Sequence, residues 1–323
     1  MTSAKSAKSV KTAVAVAGRD LQFSNLDKVL WPRDGITKGD LIAYYRAVAR
    51  WLLPYVEGRP LTLERYPNGI DADGWWEKQI PRGLPDWVST VLTDASTRRE
   101  KLEFIVCNDE PTLAYVANLA AIVLHVWYSH APTLDVPDFI LIDLDPWDGC
   151  TLATLAQVAL AVRDELGAVG VKPLVKTTGG SGLHVVIPLA PRYDWEVAKA
   201  FAELIARRIH GVLPDQTTLE RTTSRRPRGT VYLDYVQVGK GKTYVAPFSV
   251  RARDGAPVSM PIAWAEVEAM RRKRAKETAP EMLRWTIANV PALLKRHGNP
   301  WSEGRTAHRL EKPLSKARSL WSN

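Results

Sequence analysis

Three aspartates carry the most chemistry in this 323-residue sequence. Asp143 and Asp145 stand one residue apart in FILIDLD (139–145), a short apolar run bounded by Pro137 and Pro146. Such a run reads as a buried strand, in which residues two apart project to the same face. Two carboxylates side by side repel each other, and cations relieve that repulsion. In the blander alternative the strand ends at Ile142 and both aspartates belong to a turn before Pro146. Asp234 repeats the pattern in TVYLDYV (230–236): Val231 and Leu233 face one way, Thr230, Tyr232 and Asp234 the other. An aspartate is disfavoured in mid-strand, so it needs a cation, an edge position or an arginine partner.

Between these strands lies TTGGSGLH (177–184). Its glycines permit backbone angles that expose amide N–H groups, a device for cradling phosphate. Ser181 supplies a hydroxyl there and His184 an imidazole; a plain tight turn is the alternative. Basic residues flank the Asp234 segment, with Arg221, Arg225, Arg226 and Arg228 before it and Lys240, Lys242, Arg251 and Arg253 after it. A solvated face explains such charges as well as triphosphate neutralisation does.

The elements that must position these groups follow from periodicity. Residues 37–51 read as a helix that starts on a Thr37/Asp40 capping box and ends by Pro54 and Gly58. Residues 59–68 read as a strand and turn, and 112–128 as a strongly apolar helix. A helix over 151–166 ends at Gly167, and strands at KPLVKTT and LHVVIPL flank the glycine loop. Residues 194–212 form an amphipathic helix capped by Asp194 and supported by a Glu203–Arg207 pair. TVYLDYV and TYVAPFSVR (243–251) are strands around a GKGK turn, and RRKRAK (271–276) reads as helix surface. This order predicts an α/β (α+β) fold with mixed or largely antiparallel sheets flanked by helices, not a doubly wound parallel sheet. The expected division is a flexible basic tail over 1–20, a catalytic domain over 21–290 and a loosely held C-terminal extension over 291–323.

Composition narrows the partner. Apolar residues make up 46% of the chain, so it can bury a core, and the formal net charge of +9 favours a polyanion. There are two cysteines, Cys107 and Cys150, and no CxxC pair, which excludes a zinc knuckle and a disulfide framework. No apolar run reaches the roughly 18 residues of a spanning helix, and AVAVA near the N-terminus is too short for a secretory signal. The expectation is a cytoplasmic, nucleoid-associated protein with no membrane partner.

DLD, GGSGLH and YLDY, in that order, resemble the three motifs of the archaeo-eukaryotic primase superfamily. NLDKVLWP (25–32), EKQIP (77–81), DLDP (143–146), SGLH (181–184), LDY (233–235) and APFSVR (246–251) are similar to the polymerase domain of bacterial LigD, the end-joining ligase. The resemblance spans about residues 21–290. It implies a primase-like core and a nucleotidyltransferase that adds nucleotides, with a preference for ribonucleotides, to DNA 3′ ends in gap filling and end joining. Asp143, Asp145 and Asp234 would hold two divalent ions, manganese or magnesium. Ser181, Gly182, His184, Gln237, Lys242, Arg251 and Arg228 would bind the nucleotide, with Gln237 near its sugar. Asn25, Lys28 and Lys38 would bind a downstream 5′-phosphate. Trp75 and Trp76, expected on a loop, would stack on template bases. The implied partners are DNA ends and gapped duplexes carrying a 5′-phosphate, NTP or dNTP, Ku and a DNA ligase.

The sequence departs from the family pattern in two places. Pro227 stands where a nucleotide-contacting arginine is expected, with Arg226 and Arg228 on either side, and Ser181 stands where relatives often carry lysine. No ligase or nuclease motif follows, which fits an excised domain or a free-standing primase-polymerase for short-gap repair or primer synthesis. Two further readings compete: a metal-dependent nuclease using the same carboxylates, and a non-catalytic module that binds DNA ends.

Overall fold

The computed structural model describes residues 11–94, 101–273, 282–302 and 306–321. The chain opens with an antiparallel ribbon of β1 (Lys11–Val16) and β2 (Arg19–Ser24), then a second of β3 (Val29–Trp31) and β4 (Ile36–Thr37). Order therefore begins before Leu21. Alternation in β2 puts Leu21 and Phe23 into the core, and the part of the expected tail over 11–20 is largely strand, with Val16 buried and most of the rest exposed. Residues 1–10 lie outside the described residues.

Helix α1 (Lys38–Val56) starts on the expected capping box, with Thr37 and Asp40 each bonding the other's backbone N–H. It runs through Pro54 to Val56, past the expected end. It buries Leu41, Tyr45, Val48 and Leu52, and packs on α2 (Glu110–Asn118).

One sheet combines β5 (Pro60–Arg65), β6 (Trp75–Glu77), β7 (Thr90–Asp94), β8 (Lys101–Val106), β9 (Ala121–Trp127) and, from late in the chain, β15 (Thr243–Val245). The expected single helix over 112–128 is instead α2 followed by β9. Ala120 takes a left-handed φ of 57° and breaks the helix. The β-branched Ile122, Val123 and Val126 then suit a strand buried on both faces. A continuous apolar run does not distinguish the two structures.

The second sheet is β10 (Phe139–Pro146), β11 (Leu174–Thr177), β12 (Leu183–Pro188), β13 (Thr217–Thr218), β14 (Val231–Asp234) and β16 (Pro261–Ile262), in the order β13-β14-β10-β12-β11-β16. Every pair is antiparallel except β13–β14. Helices α3 (Leu152–Ala168) and α4 (Trp195–Val212) follow their expected spans, with Thr151 and Asp194 as caps and the Glu203–Arg207 pair in place. The mixed α/β class with antiparallel sheets is as the sequence predicts. Past β15 the expected strand stops, because Pro247 has no N–H to donate and Phe248 takes φ 65°.

An ion pair links the starts of two inner strands, one from each sheet. Arg59, just before β5, makes two hydrogen bonds to Asp138, just before β10, the Nη1 bond at 2.7 Å. Nor is the chain loosely held after residue 290. Trp301 is buried and its indole donates to the Val175 carbonyl at 2.9 Å, while His308 bonds backbone to backbone with Pro188 and Ala190. Helices at Val290–His297 and Glu311–Trp321 bury Leu294 and Ala317. Of the basic run 271–276, residues 274–276 lie outside the described residues.

Candidate active site

The strand register brings the candidate residues into one row. On β10, Asp143 is the Cα partner of His184 on β12 and of Asp234 on β14. His184 is in turn the partner of Lys176 on β11. Four adjacent strands thus present Lys176, His184, Asp143 and Asp234 at one level, and directly opposed residues share a face. Asp145, two residues along β10, lies on the same face, opposite Tyr232. The turn alternative for Asp143 and Asp145 is excluded, because both are within the strand.

Asp143 and His184 of the row line a cavity of about 480 Å³ between the two sheets, while Lys176, Asp234 and Asp145 are not among its lining residues. The lining includes Asp143 and His184 from one sheet, Trp76 and His125 from the other, and Gln237, Lys242 and Arg251. Three polar atoms of its lining residues are buried without a hydrogen-bond partner: Asp143 Oδ1, His184 Nδ1 and the Tyr128 hydroxyl. His184 Nε2 stands 3.4 Å from Asp143 Oδ1, outside hydrogen-bond geometry. Buried orphans clustered around one cavity are the mark of a site that is completed by a ligand.

Electrostatics point the same way. Burial, then the neighbouring Asp234, push the Asp143 carboxyl up to about 7. Burial, then Asp143, push Asp145 up to about 7. Burial holds His184 well below the ordinary histidine range, and the Lys176 and Arg251 cations add to it. The carboxylates thus take up protons unless a cation is present. Oxygen donors of this charge suit a hard divalent ion. Among the described residues, no three such side chains already stand in metal-holding geometry. The reason is visible at Asp234, whose Oδ1 accepts from the Val236 N–H and whose Oδ2 accepts from Gln237 Nε2, both at 3.0 Å. A cation at Asp234 Oδ2 would displace the Gln237 amide.

The glycine loop does different work from that expected. Its Gly180 and Gly182 N–H groups both donate to Thr178 Oγ1, so they are turned inward. It is a tight turn between antiparallel strands. A Cβ at Gly179 would meet Arg251 Cγ at 2.6 Å, and one at Gly182 the Leu144 carbonyl oxygen at 2.5 Å. Glycine is needed so that the loop can close on β10 and on Arg251. Ser181 and Gly182 are not among the cavity's lining residues. Nor is Arg228, which is exposed and pairs with Asp148 at 3.1 Å. The arginine beside Pro227 that approaches the row is Arg226, stacked 3.8 Å over the ring of Tyr232.

The two tryptophans also differ from expectation. They lie on β6, where alternation sends Trp75 opposite Arg65 and Trp76 opposite Glu64. Trp75 sits under the Arg65 guanidinium, while Trp76 lies against His125 with ring centroids 4.3 Å apart. The pair therefore offers two separate surfaces. Asn25, Lys28 and Lys38 do come together: the Lys38 N–H donates to the Lys28 carbonyl, and the Lys28 N–H to that of Asn25. Lys28 is exposed. Lys38 is only 4% exposed, donates to Ser24 and to Asn118, and is pushed down to about 8, first by burial and then by Lys28.

Sequence reasoning missed three residues: Lys176, His125 and Glu64. Lys176 is fully buried and donates to the Ser259 hydroxyl. Burial, then Arg251, hold it well below the ordinary lysine range. His125 Nε2 lies 3.0 Å from Glu64 Oε1. A charged or ionisable residue inside a largely apolar strand was the available signal for His125 and Lys176, as it was for Asp234, but Glu64 stands beside Arg65 and had no such signal.

Residues 37–301 match the family described as LigD, primase-polymerase domain. The chain belongs to that family. It is 35% identical over 254 residues to the multifunctional non-homologous end joining DNA repair protein LigD of Mycobacterium tuberculosis (strain H37Rv), covering 76% of this chain and 33% of that protein. It is 31% identical over 282 residues to the bifunctional non-homologous end joining protein LigD of Bacillus subtilis (strain 168), covering 87% of this chain and 43% of the relative. The chain thus spans about a third of the length of the mycobacterial relative. Among solved structures, the polymerase domain from M. tuberculosis Ligase D in complex with DNA superposes with a TM-score of 0.79 at 31% identity, covering 88% of this chain and 98% of that one. Among the described residues no helix is long and apolar enough to cross a membrane.

Proposed function

We propose that this chain is a DNA repair polymerase that transfers nucleotides to DNA 3′ ends during gap filling and end joining. The observation that carries this reading is the row Lys176–His184–Asp143–Asp234, with Asp145 beside it, whose Asp143 and His184 line a cavity together with Lys242 and Arg251. Acidic groups for cations lie next to basic groups for phosphates, the pairing that phosphoryl transfer needs.

Asp143, Asp145 and Asp234 would hold divalent cations, manganese or magnesium. When bound, two such ions would lower the pKa of the primer hydroxyl and neutralise the leaving pyrophosphate. Arg251 and Lys242 contribute fixed positive charge where a triphosphate would lie, and His184 adds a hydrogen-bond donor. Gln237, hydrogen-bonded to Asp234, is placed to reach a nucleotide sugar once a cation takes that oxygen. A preference for ribonucleotides belongs to this reading. Lys28 and Asn25 provide the exposed part of a 5′-phosphate site, with Lys38 as its buried anchor. Trp76 is the better placed of the two tryptophans to stack on a base. Ku and a DNA ligase are the partners this role implies.

Primer extension on a gapped duplex bearing a 5′-phosphate tests the reading. Nucleotide addition with Mn²⁺ or Mg²⁺, stimulated by the 5′-phosphate, supports it. Shortening of a labelled duplex without NTP would favour a nuclease instead.

A further inference from the structure

The sheet face that carries the catalytic row continues past it. One step along, Leu174, Val186 and Leu141 are in register, and Phe139 pairs with Pro188 beyond them. Here lies a second cavity, of about 460 Å³. Aromatic rings dominate its lining: Tyr55, Phe139, Tyr244 and Trp301. Tyr244 lines both cavities. The charges that act on its hydroxyl are Arg59 and Asp138, which belong to the lining of the second cavity. The hydroxyl therefore serves this cavity and not the catalytic one, and it makes no hydrogen bond among the described residues.

Arg59 is the other unfinished group. A guanidinium has five N–H donors in a rigid planar fork. Nη1 gives one to Asp138 Oδ1 and one to the Trp127 carbonyl, and Nη2 gives one to Asp138 Oδ2. That leaves one N–H on Nη2 and the N–H of Nε, a buried atom with no partner. These two point the same way from one edge of the fork. Arg59 is 7% exposed and lines the cavity, so this edge is what it offers there.

Two parallel donors call for two adjacent acceptors on a planar group. A carboxylate has that shape, but Asp138 already offsets the Arg59 charge and would repel a second anion. A neutral acceptor pair avoids the repulsion. On a flat aromatic ring, such a pair is the O6/N7 edge of guanine, which arginine reads bidentately. Adenine has an amino donor in place of O6. We propose that the second cavity binds a guanine base, with O6 and N7 on the free edge of Arg59 and the ring among Phe139, Tyr244 and Trp301. The base can belong to a free nucleoside or nucleotide or to a nucleic-acid strand, since the recognition is the same. The site lies outside the carboxylate row and does not rest on the polymerase reading.

Equilibrium binding to the whole chain tests it, with no metal or triphosphate present. Calorimetry gives dissociation constants for guanosine, 7-deazaguanosine, adenosine and benzoate. Guanosine is expected to bind at least about tenfold tighter than adenosine or 7-deazaguanosine, the worth of a bidentate base contact. Two variants should bring that ratio close to one. Thr133→Trp changes an exposed lining residue and blocks the cavity. Arg59→Lys keeps the charge beside Asp138 and removes the fork; if it fails to fold, Thr133→Trp still decides. A thymidine nonamer with one central deoxyguanosine, compared with the all-thymidine nonamer, identifies the source. A preference there that Thr133→Trp removes assigns the site to a strand, and a preference confined to guanosine assigns it to the free form. No guanine preference in either form, a preference that survives Thr133→Trp, or benzoate bound more tightly than guanosine would overturn the proposal.

Discussion

The two walls of the cavity hold a histidine each, and the histidines live under opposite conditions. On the β9 wall, His125 is satisfied by the Glu64 carboxylate and covered by Trp76. On the β12 wall, His184 has a buried Nδ1 with no partner and stands beside an Asp143 oxygen in the same state. The β9 wall partners its histidine with the protein's own side chains and leaves the Tyr128 hydroxyl, just past that strand, without a partner. The other is incomplete and carries mutually repelling carboxylates. A folded chain tolerates such a deficit when a ligand removes it, and unsatisfied groups left in a native structure mark where that ligand goes.

The contrast can be broken most forcefully at the carboxylates. Asp143→Ala should lower nucleotide incorporation by about a thousandfold, the scale of losing a group that stabilises charge in the transition state. DNA affinity, measured by anisotropy, should change little. The next largest effect concerns the joint that keeps the walls facing each other. Asp138→Asn leaves the Arg59 guanidinium buried without its counter-charge and should cost about 3 kcal/mol of folding stability, read from denaturant titration.

The deficit of the unfinished wall also has a pH signature. Asp143 and Asp145, raised to about 7 in the folded chain against an ordinary value of 3.8, hold protons that the unfolded chain has released. Stability from these groups is present at low pH and lost as pH rises from about 4 through 7. Thermal melts of the metal-free protein should therefore show a Tm that falls over this window, and Mn²⁺ should restore it most at the upper end. A Tm gain from Mn²⁺ that is equal at pH 5 and pH 8 would count against carboxylate ligation. The smallest effect separates the two tryptophans. Trp76→Ala should weaken nucleotide or template binding several-fold through lost stacking, while Trp75→Ala, outside the cavity, should leave it within about twofold.

Much of the unfinished wall was legible in the chain. Asp143, Asp145 and Asp234 announce themselves by strand period and by charge in apolar surroundings. His184 follows from its place directly after the glycine loop. The β9 wall was not legible, for a physical reason. His125 lies in AIVLHVW, a continuous apolar run whose pattern is the same for a buried strand and a buried helix, and the helix reading turned it away from the site. Its partner Glu64 is 61 residues away, and only strand pairing brings them together. Lys176 was hidden in the same way, because its neighbour in the row comes from another strand. Local capping chemistry placed the starts of α1 and α4. At the edges of the fold, the strands within residues 11–20 and the packing of described residues after 290 were not legible, because they depend on distant partners such as Val175 for Trp301.

The central claim is that the incomplete wall is a divalent-cation site for nucleotidyl transfer. Its most direct test is anomalous diffraction from crystals soaked with Mn²⁺ and a non-hydrolysable ATP analogue. The account predicts manganese peaks shared by Asp143, Asp145 and Asp234, Gln237 released from Asp234, and the triphosphate against Arg251 and Lys242. Manganese absent from those carboxylates, with Gln237 still bonded to Asp234 in the nucleotide-bound protein, would contradict it.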